Sequence, residues 1–244
     1  MPVIFVTALY VIPNKNRGVD AYLQNLEKLI QTGIPLLCYL DESLKENGEE
    51  LCKHYKNFKI QQYVTLDTSW IPGNVILPAI RNGKKDTKEY FAVQLQKMWC
   101  LADAAKNVET SHLAWIDAGI FHMFNNYNDV KEMLLQIASS EWPNKIFVPG
   151  AWNLGQVAHH YALNKWAHML DVIIWRFLGS FLIGPRLSWQ KVLEKQDALV
   201  KENLPRLGWE VNYWTKMEDD FIWYLSNHNN SLLENIQQFR QLQP

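Results

Sequence analysis

The chain has 244 residues, 48% of them apolar and 20% charged, with 24 lysines and arginines against 25 acids. That length suits one domain with its own core, the apolar share excludes global disorder, and the near-neutral balance excludes a bulk pull toward nucleic acid. Cys38, Cys52 and Cys100 are too few and too scattered for a disulfide framework or a thiolate metal site, which points to a reducing, cytoplasmic setting. The N-terminal MPVIFVTALYVIP lacks the basic lead of a signal peptide. No apolar run reaches the length of a membrane span. The longest greasy region, Met169–Ile183, is interrupted by Asp171, Arg176 and Gly179. Eleven tryptophans are many for this length; core packing is their usual use, although flat aromatic faces also stack on sugars and bases.

In chain order, Val3–Leu9 reads as a first strand. A loop with Pro13, Asn14, Asn16 and Gly18 follows and carries Lys15 and Arg17 just past the strand end. Val19–Thr32 has helical spacing, with Leu23, Leu26 and Ile30 on one face, and stops at Gly33. Ile34–Leu40 is a second buried-type strand ending in Asp41 and Glu42, Glu46–Tyr55 a short polar helix, and Phe58–Tyr63 a third strand. Strands alternating with helices predict a parallel sheet with crossover helices. From Leu66 to Lys85 the pattern fails at Pro72, Gly73, Pro78 and Gly83, with Trp70 and Arg81 among them. This reads as a long loop near a site.

Asp86 with Glu89 makes a capping-box-like start to a strong helix, Tyr90–Lys106. Phe91, Leu95, Met98, Ala102 and Ala105 form its apolar stripe. Lys97 lies off that stripe between Val93 and Leu101, where it could hold a phosphate or simply snorkel to water. Then comes HLAWIDAGIFH, His112–His122. Its apolar run has no alternation, as in a strand covered on both faces, and it ends in Asp117, Ala118 and Gly119. A carboxylate at the carboxyl end of such a strand faces the crevice where open α/β sheets bind ligands, and glycine there allows a turn or a close approach. Asp117 is thus either at a nucleotide or metal site or a mere strand terminus, and the motif alone does not choose.

A helix at Asp129–Ala138 and a strand at Lys145–Val148 follow, closed by Pro149 and Gly150. His159, His160 and His168 suggest a helix in Ala151–Leu170 but not three convergent ligands, since adjacent helical residues point about 100° apart. Val172–Arg186 reads as two strand-like pieces hinged at Gly179 and Ser180. Ser188 fits the N-cap of a helix to about Leu204. In Trp209–Leu225, Thr215 and Glu218 fit a capping box that starts a helix with Glu218, Asp219 and Asp220 in its first turn. The helix dipole favours acids there whatever they do, and by local pattern that is the better account of them. The Asn/Gln-rich tail from Asn227 to Pro244 reads as a peripheral helix or frayed end of a single domain spanning 1–244.

Taken together, VTALY near the N-terminus, an arginine soon after, Glu89-Tyr90 with Lys97 on a helix, WIDAGIFH, WRFLGSFLIG and the late acidic cluster resemble the HtrL/YibB-type glycosyltransferases, the WlaTC-like group of the GT-A class. The similarity runs from about Val3 to Leu225. It implies a GT-A-like α/β fold, a central and mostly parallel sheet flanked by helices. It also implies transfer of a sugar from a UDP- or GDP-sugar to a hydroxyl of a glycan or other acceptor.

The resemblance further implies a Mn²⁺ or Mg²⁺ ion that neutralises the leaving diphosphate. Asp117 matches the acid of the family's Asp-x-Asp motif, but Gly119 stands where a second Asp is usual, which puts the metal in question. His228 would be a late metal ligand. Arg17 and Lys97 would lie near the diphosphate, Thr7 and Ala8 would approach the nucleoside by backbone contacts, and Ala118 and Gly119 would border the donor. Asp219, ahead of Glu218, would take the acceptor's proton. Gly179–Gly184 and Trp189 would form the acceptor or sugar pocket. The competing expectations are a nucleotidyltransferase of related architecture and a non-catalytic glycan- or protein-binding module.

Overall fold

After His112, the strand His112–Ile116 is apolar throughout because it feeds two cores at once. Leu113 and Trp115 point into one buried cluster, and Ala114 and Ile116 into another on the opposite face. In the computed structural model, which describes residues 3–12, 18–162 and 168–241, this strand is β4 of a seven-stranded sheet. The strands are β1 (Ile4–Leu9), β2 (Leu36–Asp41), β3 (Phe58–Val64), β4, β5 (Ile146–Gly150), β6 (Phe181–Pro185) and β7 (Phe221–Leu225), in spatial order β3-β2-β1-β4-β6-β5-β7. β6 pairs antiparallel with both β4 and β5, and the other strands run one way. The carboxyl ends of β1, β4, β5 and β7 therefore lie along one edge, together with the amino end of β6.

Eight α-helices are described: α1 (Val19–Ile30), α2 (Lys45–His54), α3 (Lys88–Asn107), α4 (Tyr127–Ser139), α5 (Leu154–Ala162), α6 (Trp189–Asn203), α7 (Glu210–Trp214) and α8 (Ser231–Gln241). Residues of α3, α6 and α7 fill one core, and those of α1, α4 and α8 the other. Burial of two such faces is the main stabilising term. The α/β class and the mostly parallel sheet flanked by helices are as expected from the sequence. Among the described residues no helix is long and apolar enough to cross a membrane.

Four local expectations are corrected. The cap of α3 is Thr87, whose hydroxyl accepts from the Tyr90 N–H at 3.3 Å, while Asp86 accepts from Asn82 and closes the preceding loop instead. Of the two pieces in Val172–Arg186 only the second is a strand; the first makes isolated bridges at Val172 and Phe177. Thr215 caps nothing: its hydroxyl donates back to the Asn212 carbonyl at 2.6 Å. Thr215–Asp220 is a 3-10 turn that leads into β7, because the β-prone FIWYL pairs along its whole length with β5. Helix α8 of the tail is packed rather than peripheral, since its Leu232, Leu233 and Ile236 are fully buried.

Candidate functional site

The site is built around Lys97. Helix α3 lies against β1 and β4, so a side chain on its sheet-facing side either is apolar or needs buried partners. Lys97 is 3% exposed and does not snorkel. Its ammonium donates to the Gly179 carbonyl at 2.8 Å and to Glu210 Oε1 at 2.9 Å, and lies 3.2 Å from Asp117 Oδ1. Burial alone would pull its pKa down; the Asp117 and Glu210 carboxylates outweigh that and hold it above the usual lysine value. Glycine is needed at 179 because a Cβ there would meet Glu210 Oε1 at 2.3 Å and Lys97 Nζ at 3.0 Å.

Asp117 follows β4 on the carboxyl edge and is fixed on both sides. Its N–H donates to the Ser180 carbonyl at 3.0 Å, and its Oδ1 accepts from Trp115 Nε1 at 2.7 Å. Oδ2 takes neither of these bonds, and the side chain is 35% exposed. Two carboxylates on one ammonium leave a single net negative charge, and Asp117 is the member that presents it outward. Tyr90 borders the same group: burial first, then Glu210 and Asp117, push its phenol above the usual tyrosine range.

Beside Asp117, Ala118 is buried and Gly119 opens a 3-10 turn, Ile120–Met123. Gly119 has φ −91°, so the turn itself does not require glycine. Its open side faces Tyr22 of α1 and His122, each 3.8 Å from where a Cβ would stand. His228, just beyond β7, carries an exposed imidazole that meets the Trp175 ring edge-on at 5.0 Å between centroids. Desolvation lowers its pKa, the Asp117 charge opposes that, and His122 and Lys97 reinforce it.

Next along the edge is a cleft of about 140 Å³ between the carboxyl end of β1 and the start of α1, lined by Leu9, Tyr10, Val11, Ile12, Gly18, Val19 and Tyr22. Thr7 and Ala8 are not among the residues that line it. Thr7 is fully buried. Arg17 lies outside the described residues.

Asp219 and Glu218 are not brought beside Asp117. They precede β7, which runs parallel to β4, so they enter at the amino end of the sheet rather than on the carboxyl edge. Asp219 is exposed, and Glu218 forms an ion pair with Arg176. The expected sugar pocket at Gly179–Gly184 and Trp189 is also corrected. Trp189 is fully buried, and a Cβ on Gly184 would meet Ile146 Cγ1 at 2.7 Å and Trp189 Cζ2 at 3.0 Å. These glycines serve packing. Glu210, buried and opposite Lys97, is the site residue that sequence reasoning missed; its only local signal was an acid in the first turn of α7.

No family model and no curated protein matches the sequence. Solved structures similar to it include the apo-form glycosyltransferase GlyE of Streptococcus pneumoniae TIGR4, with 6% identity over 92% of this chain and 45% of that one and a TM-score of 0.49. A glycosyltransferase involved in glycosylation of the major capsid of PBCV-1 gives 11%, 93%, 82% and 0.46 for the same quantities. The 4-diphosphocytidyl-2C-methyl-D-erythritol synthase of Anaerococcus prevotii DSM 20548 gives 6%, 94%, 91% and 0.46. The chain spans about half the length of GlyE. At these identities no residue's role is carried across.

Proposed function

We propose that the protein is a glycosyltransferase that uses a nucleotide-sugar donor. The observation that carries this reading is the net-negative Lys97–Glu210–Asp117 group, open at Asp117 on the carboxyl edge of a mostly parallel sheet and next to the β1 cleft. Open α/β sheets bind ligands on that edge. The cleft suits a nucleoside, with Tyr22 between it and Gly119. In the reaction an acceptor hydroxyl oxygen bonds to the anomeric carbon as the bond to the diphosphate oxygen breaks. That electron pair leaves on the diphosphate, and the hydroxyl proton passes to a base or to solvent.

Among the described residues no group of three or more His, Cys, Asp or Glu side chains is arranged to hold a metal ion. A cation that arrives already shared with the donor's phosphates would be held by Oδ2 of Asp117, with the imidazole of His228 as the second candidate ligand. Such a divalent cation would offset the charge that gathers on the departing diphosphate. Lys97, already committed to two carboxylates, sets the orientation of Asp117 rather than gripping phosphate itself.

The test is thermal unfolding with UDP- and GDP-sugars in the presence of Mn²⁺. A donor that binds only the folded state at about 100 times its Kd adds about 2.7 kcal/mol. The expected result is a raised Tm with at least one donor, lost in Asp117→Asn, and slow release of nucleoside diphosphate. No stabilisation by any donor sinks the proposal. Pyrophosphate released from a nucleoside triphosphate would replace it with a nucleotidyltransferase.

A further inference from the structure

Trp175 is the one non-glycine residue with positive φ among the described residues, at 49°. A bulky side chain is rare in that region and persists only where its surroundings impose it. The core does not repay the strain, because Trp175 is 45% exposed and is the only exposed tryptophan among the described residues. What imposes the conformation is visible on both sides. The Ile174 N–H donates to Asn212 Oδ1 at 3.1 Å. On the other side, Arg176 is fully buried with its guanidinium 4.1 Å from the Trp223 ring centroid, and its carbonyl accepts from the Ala151 N–H at 3.1 Å. Between these anchors the indole is turned outward, at the end of β5 where Phe177 bridges to Gly150.

The indole meets the His228 imidazole edge to face, 5.0 Å between ring centroids. The strand order places these features in a line along the carboxyl edge. The cleft is at β1 and Asp117 at β4, whereas Trp175 and His228 are beyond them at β5 and β7. A donor seated in the cleft with its diphosphate at Asp117 leaves the Trp175 side for the second substrate.

We propose that Trp175, backed by His228, is the acceptor subsite and stacks on the apolar face of a pyranose ring. The acceptor role rests on the transferase reading, but the sugar-binding role does not. A pyranose presents a face of C–H bonds rimmed by hydroxyls. A flat indole held rigid at a strained position covers the face, and neighbouring polar groups are left for the rim.

The experiment puts the full chain and its Trp175→Ala and Trp175→Phe variants on an array of immobilised pyranose glycans. In parallel, the Tm of each is measured with UDP- and GDP-sugars at varied Mn²⁺. The wild type should bind at least one glycan. Trp175→Ala should weaken that binding roughly tenfold, the loss expected for one ring stack, and Trp175→Phe by no more than about threefold. Donor-induced stabilisation and its Mn²⁺ dependence should be alike in all three. The subsite is refuted if no pyranose binds, if Trp175→Ala binds as the wild type does, or if Trp175→Ala alters the donor shift or its Mn²⁺ requirement. In the last case the ring serves the donor or orients His228. Glycan binding that depends on Trp175, without any donor shift in the wild type, supports the sugar subsite and overturns the transferase reading alone.

Discussion

Among the described residues two cations, Lys97 and Arg176, are buried, and their surroundings differ. Lys97 has three oxygen partners and stands one residue from solvent, through Asp117. Arg176 is ion-paired to Glu218 on one side and otherwise set against rings, 4.6 Å from the Phe177 centroid and 4.1 Å from that of Trp223. Its Nε and Nη1 have no hydrogen-bond partner among the described residues. A buried charge needs compensation, and carboxylates and π faces supply it differently. Carboxylates can over-compensate and leave a charge for a ligand. Rings cannot, so Arg176 acts as a clamp inside the fold.

The sharpest way to break this comparison is to remove each cation. Lys97→Met strands Glu210, whose side chain is 4% exposed. The loss should be about 3–5 kcal/mol, the range for one half of a buried pair. Adding Glu210→Gln should recover much of it, since no buried charge then remains; urea denaturation of the single and double variants measures both. Arg176→Met leaves Glu218, at 17% exposed, better able to take up water. It keeps an apolar stem between the rings, so about 2 kcal/mol is expected. If Arg176→Met proves the costlier, the oxygen shell of Lys97 is not what distinguishes the two.

Asp117→Asn separates the roles within the Lys97 group. Its carboxylate is 35% exposed, so solvent screens the pair, and the stability change should stay under about 1 kcal/mol. A variant that folds as well as the wild type yet gains nothing from any donor would locate the function at that carboxylate. A loss as large as that of Lys97→Met would instead make Asp117 a second structural partner.

The unequal legibility of these groups has a physical cause. Strand and helix order could be read because periodicity is local, and Asp117 could be singled out because an acid ending an apolar run is a local event. Lys97 stood out for the same reason, off the stripe of α3. Its partners did not: Glu210 lies 113 positions away and Gly179 lies 82. Nothing near either one signals an ammonium. Arg176 read as an interruption of a greasy run, whereas it is the residue that run encloses. The misread start of β7 shows the same limit. A plausible cap at Thr215 competed with pairing to β5, and the distant partner prevailed. Asp219 and Glu218 went with it to the other end of the sheet.

His112 tests the rule that separates the two cations, since it is buried with no acid among its hydrogen-bond partners. Its Nε2 lies 3.0 Å from the Pro143 carbonyl, which can only accept, so Nε2 carries the proton; Nδ1 has no partner among the described residues. Burial lowers its pKa, and the bond to Pro143 opposes this only in part. A base depressed in the folded state binds protons more readily when unfolded. Its contribution is therefore complete above the ordinary histidine value of about 6.5 and is lost as pH falls through the folded value. His112→Gln can keep a donor to Pro143 without the ability to charge. The effect should be the smallest of the series: equal stabilities near pH 8, and a wild type that weakens more than the variant as acid is added. Parallel curves would mean that His112 escapes to water before it charges, and that burial without a carboxylate is not what keeps it neutral.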